Sequence, residues 1–353
     1  MRESNKISNV RQFSILNNSV LLTSKSIIKL NNKILFESDR VGGNFLSGNW
    51  LYMMDRKKTY LCELKQSVKY EVDNSKNIFW HTIDFKNLSV VVGIDNKLIE
   101  NHTWVFEYCL YNFQTQQLTP LNQVKSYPIP ISWKGHLLFD ETKFLLSAFS
   151  IEKKETIWQF KLFEHFKYDR TWGDGEFYHF VGVWNDVLWI DINESHLIGV
   201  DIQTGLLKYD FCKPTKIFGK PTKPYHERLY GKLYSNIDKE RNLLFGFNYD
   251  TYWEINLNDP TTPLHLYIFE EECTKYNCFL SLQRYCFDRQ KLYYVDAFNG
   301  TVASIDRDTK EFQFLYQFPE ASAGTLMEIQ VSEDKVYILD NQSTLHIFEK
   351  EQA

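Results

Sequence analysis

The sequence predicts an all-β fold: a single β-propeller of seven or eight blades over residues 1–353, each blade made of four antiparallel strands. Three observations carry that expectation. The run from Lys291 to Phe318, KLYYVDAFNGTVASIDRDTKEFQFLYQF, holds three short alternating stretches separated by polar turns: Lys291 to Asp296, Thr301 to Asp306 and Glu311 to Phe318. The same arrangement returns at Val187 to Phe211 and at Lys335 to Glu349, and such recurrence marks a propeller. No i, i+3, i+4, i+7 pattern persists long enough for crossover helices, which argues against a parallel α/β fold.

The remaining units follow from period-2 runs and turn residues. Phe13 to Ser38, Phe45 to Val72, Ile78 to Leu121, Tyr127 to Phe166 and Phe177 to Phe211 come first. Leu229 to Phe269, Cys278 to Phe318 and Leu326 to Glu349 complete the series. Asp296 and Asp340 close equivalent strands 44 residues apart, a spacing that suits one blade. The last unit lacks an outer strand. Residues around Val10 to Ile15 are expected to supply it, closing the ring by pairing N- and C-terminal strands and removing exposed edges.

Composition agrees with a large β core. Hydrophobic residues make up 43%, and 27 Phe, 21 Tyr and 9 Trp favour strands packed face to face. A formal net charge of -5 argues against a general nucleic-acid binder. The N-terminus has no apolar stretch of signal-peptide type, and no segment approaches membrane-helix length; a soluble, cytoplasmic protein is expected. The six cysteines are scattered beside aromatic residues, which fits reduced, partly buried thiols. Cys273, Cys278 and Cys286 lack the paired short spacing of a zinc site, so no metal is expected there.

The strand–turn sequences resemble the quinoprotein-like (PQQ-repeat) propeller superfamily. The residues that carry this are Leu292 to Lys310, with turns at Asn299-Gly300 and Asp308-Thr309, and Val187 to Gly205, with Gln203-Thr204-Gly205. The resemblance covers about two blades and implies a fold. The tryptophan-docking pattern of quinoprotein dehydrogenases is missing, and no cofactor is expected.

No linear catalytic motif occurs: there is no H-E-x-x-H, G-x-S-x-G, P-loop or Cys-x-x-Cys. Among nine histidines, His81 and His179 fall in candidate inner strands and form the best pair for a channel site. Two insertions say more. Glu164 to Glu176 gathers Tyr168, Arg170 and Trp172, the residue types that dominate interface energies. Lys213 to Lys232 includes Lys216, Lys220, Tyr225, His226 and Arg228, stiffened by three prolines and bearing six basic residues against one acid. Both flank one blade, and basic aromatic loops suit an acidic partner. The run Glu270-Glu271-Glu272 reads as a solvated turn.

The expectation is therefore a non-enzymatic propeller that binds a protein partner through Tyr168, Arg170, Trp172, Lys216, Lys220, Tyr225, His226 and Arg228. The narrowest form is an immunity protein that neutralises a bacterial toxin or other effector by covering its active site. The alternatives are a hydrolase or lyase with a channel-mouth site, and a carbohydrate-binding propeller.

Overall fold

The computed structural model describes residues 1–16, 19–31, 33–38, 41, 43–47, 50–54, 59–64, 68–72, 78–85, 89–99, 103–112, 115–125, 131–133, 136–142, 144–166, 177–192, 196–211, 216–220, 235–261, 264–279, 284–319 and 326–350. Among them, eight sheets follow one another along the chain. Sheet 1 is Gln12–Leu16, Ser19–Thr23, Ile27–Leu30 and Lys33–Glu37; sheet 2 is Gly43–Ser47, Trp50–Met54, Thr59–Glu63 and Val68–Val72. Sheet 3 is Ile78–Phe85, Ser89–Ile99, Thr103–Asn112 and Gln117–Lys125; sheet 4 is Ile131–Trp133, His136–Thr142, Leu145–Ser150 and Glu155–Lys161. Sheet 5 is Phe177–Trp184, Val187–Ile192, His196–Asp201 and Leu207–Phe211. Sheet 6 is Asn236–Asp238, Leu243–Asn248, Thr251–Asn256 and His265–Ile268; sheet 7 is Tyr285–Phe287, Lys291–Asp296, Thr301–Asp306 and Phe312–Gln317. Sheet 8 is Leu326–Val331, Lys335–Asp340 and Thr344–Glu349, with Arg2–Ser8 as its fourth strand.

Within each sheet successive strands lie side by side as antiparallel hairpins, apart from Arg2–Ser8 in sheet 8 and an added edge strand in sheet 6. In sheets 5 and 7 the second and third strands are buried almost end to end: Val187–Ile192 throughout, and His196–Asp201, Lys291–Asp296 and Thr301–Asp306 in all but one residue each. Covered on both faces, they read as apolar runs, whereas the outer strand Phe312–Gln317 is half exposed.

The chain closes on itself as expected, with a shifted strand. Arg2–Ser8 pairs antiparallel with Thr344–Glu349, whereas the Val10 to Ile15 region opens sheet 1 instead. Asn9, with φ 64°, turns the chain between the two, and Val10 and Phe13 bury against Tyr337 and Leu345. The closing strand is mostly exposed and polar, so it carries no alternation to read.

A second difference is the stretch Glu270-Glu271-Glu272, which opens a helix, Glu270–Tyr276, rather than a turn. No side chain caps its start, and three acids in the first turn complement the positive helix end instead. Sheet 6 gains a fifth strand, Lys216–Phe218, parallel to His265–Ile268. Phe218 stacks on Tyr267, with ring centroids 4.7 Å apart, covering the sheet's outer edge.

The chain packs as two compact units: Met1–Glu37, Glu194–Leu197 and Tyr209–Ala353 form one, Ser38–Asn193 and Ile198–Lys208 the other. In the second unit Trp158 ties sheet 4 to the turn after the third strand of sheet 5. Trp158 Nε1 donates to the Ile202 carbonyl (2.9 Å), and its ring lies on Gly205, where an added Cβ would sit 2.7 Å away. Gly205 also has φ 74°, so glycine is required twice over. No helix among the described residues is long and apolar enough to cross a membrane.

Candidate protein-interaction surface

Meander topology gives each sheet two kinds of end. Turns between second and third strands share an end with the linkers that join sheets; the other two turns lie at the opposite end. Sheets 6 and 7, both in the first unit, build a distinctive surface at the linker end.

In sheet 6 the second turn is Asn248 to Thr251, and Tyr249 sits at its tip with φ 51° and 59% of its surface exposed. A left-handed conformation is costly for a bulky residue, of order 1 kcal/mol or more, where Asn or Gly would serve. The turn is held from behind, because Phe269 N–H donates to the Asp250 carbonyl (2.7 Å) just before the helix begins. The seven-residue helix Glu270–Tyr276 then runs about 10 Å and buries Cys273. It ends at Asn277 in the left-handed region, with Cys278 N–H donating to the Cys273 carbonyl.

Asn277 passes the chain to the turn of sheet 7. Its side-chain amide donates to Asn299 Oδ1 (2.9 Å), and Thr301 Oγ1 donates to its carbonyl (3.0 Å). Asp296, 4% exposed, organises that turn with both oxygens. Oδ1 accepts the N–H groups of Phe298 (2.9 Å) and Asn299 (3.1 Å); Oδ2 accepts Asn299 Nδ2 (2.8 Å) and Phe279 N–H (2.9 Å). Gln317 Nε2 ties down the Asn299 carbonyl from the outer strand (2.8 Å). On this fixed turn Phe298 is 87% exposed. Two exposed aromatics thus stand at the ends of one short helix.

The opposite end of sheets 6 to 8 is built from paired charges. Asp238 and Asp288 each end the first strand's run into a tight turn. Asp238 Oδ1 accepts the N–H groups of Glu240 and Arg241, and Asp288 Oδ1 those of Gln290 and Lys291. Each aspartate is then gripped by a cation following the third strand of the next sheet. Arg307 Nη2 of sheet 7 lies 2.5 Å from Asp238 Oδ2, and Lys350 Nζ, beyond sheet 8, lies 2.7 Å from Asp288 Oδ2. Beside these clasps opens a cleft of about 1040 Å³, floored by Phe287, Tyr293, Leu315 and Val331 and rimmed by mixed charge.

Chemistry suited to catalysis is not gathered among the described residues. Burial pushes the Cys278 thiol up to about 11 and the Cys273 thiol higher still, so both stay neutral beside Tyr294. His196 Nδ1 faces Asp210 Oδ1 at 2.5 Å, and His346 lies between Glu3 and Asp340 at strand positions. No group of three metal-ligating side chains occurs among the described residues. The side chains of His81 and His179 lie outside them.

Of the residues expected to bind a partner, Tyr168, Arg170, Trp172, Tyr225, His226 and Arg228 lie outside the described residues. Lys216 opens the fifth strand of sheet 6, its backbone paired with His265, so it belongs to a sheet edge rather than a free loop. Lys220 follows that strand and is exposed. Sequence reasoning missed Tyr249 and Phe298. The signal was present: DAFNG places a Phe at a turn tip where DNQS, one blade later, places Gln342.

No protein-family model and no curated protein matches the sequence. Solved structures are similar in fold. The C-terminal WD40 domain of Sif2 is similar with a TM-score of 0.59 and 11% identity, over 99% of this chain and 98% of that one. Sqt1 of Saccharomyces cerevisiae gives 0.58 and 11%, over 98% and 96%. BamB from Moraxella catarrhalis gives 0.54 and 12%, over 99% of each chain. At such identities the likeness establishes the fold alone: the chain is an all-β propeller, closed by its N-terminal strand.

Proposed function

We propose that the protein is a non-enzymatic, cytoplasmic binder that holds another protein at the linker end of sheets 6 and 7, with Tyr249 and Phe298 as anchors. The observation that carries this reading is Phe298, 87% exposed on a turn fixed by hydrogen bonds on every side. A rigid turn loses little entropy on association, and covering one such ring gains about 1.5–3 kcal/mol. The insertion residues Tyr168, Arg170, Trp172, Lys220, Tyr225, His226 and Arg228 are proposed as partner contacts on their composition alone. The quinoprotein-like resemblance describes the scaffold, with no cofactor assigned.

The narrowest version makes the partner a bacterial toxin or other effector whose active site is occluded. Its readout is inhibition of the purified effector by the purified chain.

The test begins with a partner co-purified from native cells and then measures its affinity for the purified chain. Phe298→Ala with Tyr249→Ala should weaken binding by about 30-fold or more, the loss of about 2 kcal/mol typical of a central anchor. Unfolding midpoints should stay put, since neither ring is buried. Trp172→Ala with Arg170→Ala tests the insertion separately. Unchanged affinity in both double variants would end the assignment of the surface.

A further inference from the structure

We propose that the cleft beside the clasps is a groove for an extended peptide segment of a partner, in which an apolar side chain has an acid on one side and a base on the other. The cleft opens at the clasp end, so this reading stands apart from the surface of Tyr249 and Phe298. Its volume of about 1040 Å³ lies at the top of the range of about 300–1,000 Å³ that takes a drug-sized ligand, which is room for a few peptide residues. Neighbouring sheets supply its walls: Lys291, Tyr293 and Leu315 come from sheet 7, Val331 and Glu349 from sheet 8.

Two equivalent hairpins frame it. Asp288 N–H donates to the Lys291 carbonyl (3.0 Å) and Ser332 N–H to the Lys335 carbonyl (2.9 Å), so each hairpin closes on a two-residue tip. Arg289 opens one tip and Glu333 the other, both exposed. The same position in two neighbouring sheets thus carries opposite charge, and neither side chain has an ion pair among the described residues. Lys350 fixes the spacing of the tips, its Nζ lying 2.7 Å from Asp288 Oδ2 and donating to the Glu333 carbonyl (3.1 Å). A groove set in advance loses little entropy on binding.

Between the tips the floor is apolar. Tyr293 is 5% exposed, and Met1, Leu315 and Val331 pack partly buried against its cluster. Burial, and after it the Asp288 carboxylate, push the Tyr293 phenol well up, so its hydroxyl stays neutral. An apolar side chain laid there leaves water without parting any charged pair.

The other charged side chains along the cleft leave these two tips to set the choice. Asp238 and Asp288 are taken by the clasps. On the sheet 7 side Lys291 Nζ donates to Gln313 Oε1 (2.8 Å), a neutral partner, and so adds to the positive field of Arg289. On the sheet 8 side Lys335 holds Asp334 (3.3 Å) and lies opposite Glu349 in the ladder, which leaves Glu333 as the acid to be met. Lys239 and Glu240, from the turn of sheet 6, bring one charge of each sign. A peptide of single sign is repelled at one tip, whereas a mixed one satisfies both.

Blocked tripeptides, titrated by saturation-transfer NMR, test this. The mixed probe is acetyl-Glu-Phe-Lys-amide, used also in the reverse order Lys-Phe-Glu; the comparison peptides are Glu-Phe-Glu, Lys-Phe-Lys and Glu-Ser-Lys. The native chain should bind the better mixed aromatic peptide about fivefold more tightly than any comparison peptide, the scale of one exposed charge pair. Arg289→Glu should turn the preference to Lys-Phe-Lys, and Glu333→Lys should turn it to Glu-Phe-Glu. Both tips are exposed, so unfolding midpoints should hold in these variants. Phe298→Ala, at the other end, should leave every affinity unchanged. Absence of binding by all the peptides, a native preference for a single sign, preferences that the reversals do not move, or binding lost with Phe298→Ala overturns the proposal.

Discussion

Two clasps at one end of the first unit use the same plan with different cations. In both, an aspartate that shapes the first turn of one sheet is held by a cation following the third strand of the next. Arg307 is 2% exposed and lies between the rings of Phe245 and Phe287, 5.3 and 5.0 Å from their centroids. Its Nη1 donates to the Asp288 carbonyl (2.7 Å), while Nη2 forms an ion pair with Asp238. Lys350 is less enclosed, crosses the Tyr293 ring at 5.4 Å and shares its ammonium between Asp288 and the Glu333 carbonyl. The contrast teaches why each cation stands where it does. A planar guanidinium stacks on aromatic faces while donating at its edge, so it tolerates a dry site; an ammonium keeps better to a wetter one.

Breaking the buried clasp should have the largest effect. Arg307→Leu leaves Asp238, 4% exposed, without its cation, and should cost about 3–5 kcal/mol in urea unfolding. Arg307→Lys sharpens the comparison, since one ammonium cannot serve Asp238 and the Asp288 carbonyl in the same way; an intermediate loss is expected. If Arg307→Lys were silent, the fork geometry would have no role. The second unit offers a third tie at the corresponding turn of sheet 5, where Trp158 docks on Gly205. Gly205→Ala forces a Cβ into the indole from a left-handed backbone, and should cost about 2–3 kcal/mol with no change of charge. Lys350→Met should cost least, about 1 kcal/mol, because its pair is nearer solvent.

These ties also mark what the sequence exposes and what it hides. The eight sheets were legible because second and third strands such as Val187–Ile192 and Thr301–Asp306 are buried on both faces and read as apolar runs ending in polar turns. The turn aspartates were legible too: Asp296 and Asp340 recur at one blade's spacing. Arg2–Ser8 was hidden because an outer strand with one face in water and the other thinly covered needs no apolar alternation. The helix Glu270–Tyr276 was hidden by its length, since two turns are too few to set up a period. The clasps are invisible for a different reason. Asp238 and Arg307 are 69 residues apart, and nothing local to either says that consecutive sheets bring them together. Phe298 escaped notice because it rides on a short turn, residues 297–300, whose geometry a polar residue satisfies equally well.

Acid gives the smallest and most selective way to separate the clasps. Burial pushes the Asp288 carboxyl up, but Lys350 and the N–H groups of Lys291 and Gln290 outweigh it and hold it below its ordinary value of about 3.9. A carboxyl depressed in the folded state contributes stability that is present above its unfolded value and is lost as pH falls through the lower folded one. The stability gap between the native chain and Lys350→Met should therefore be full at pH 7. It should narrow below about pH 4 as Asp288 takes up a proton and the ion pair becomes a single hydrogen bond. Urea midpoints for the two chains at intervals from pH 7 to pH 3 check this. A gap that stays constant into acid would show that Lys350 acts through its packing on Tyr293 alone, and the likeness between the two clasps would then be one of position without shared electrostatics.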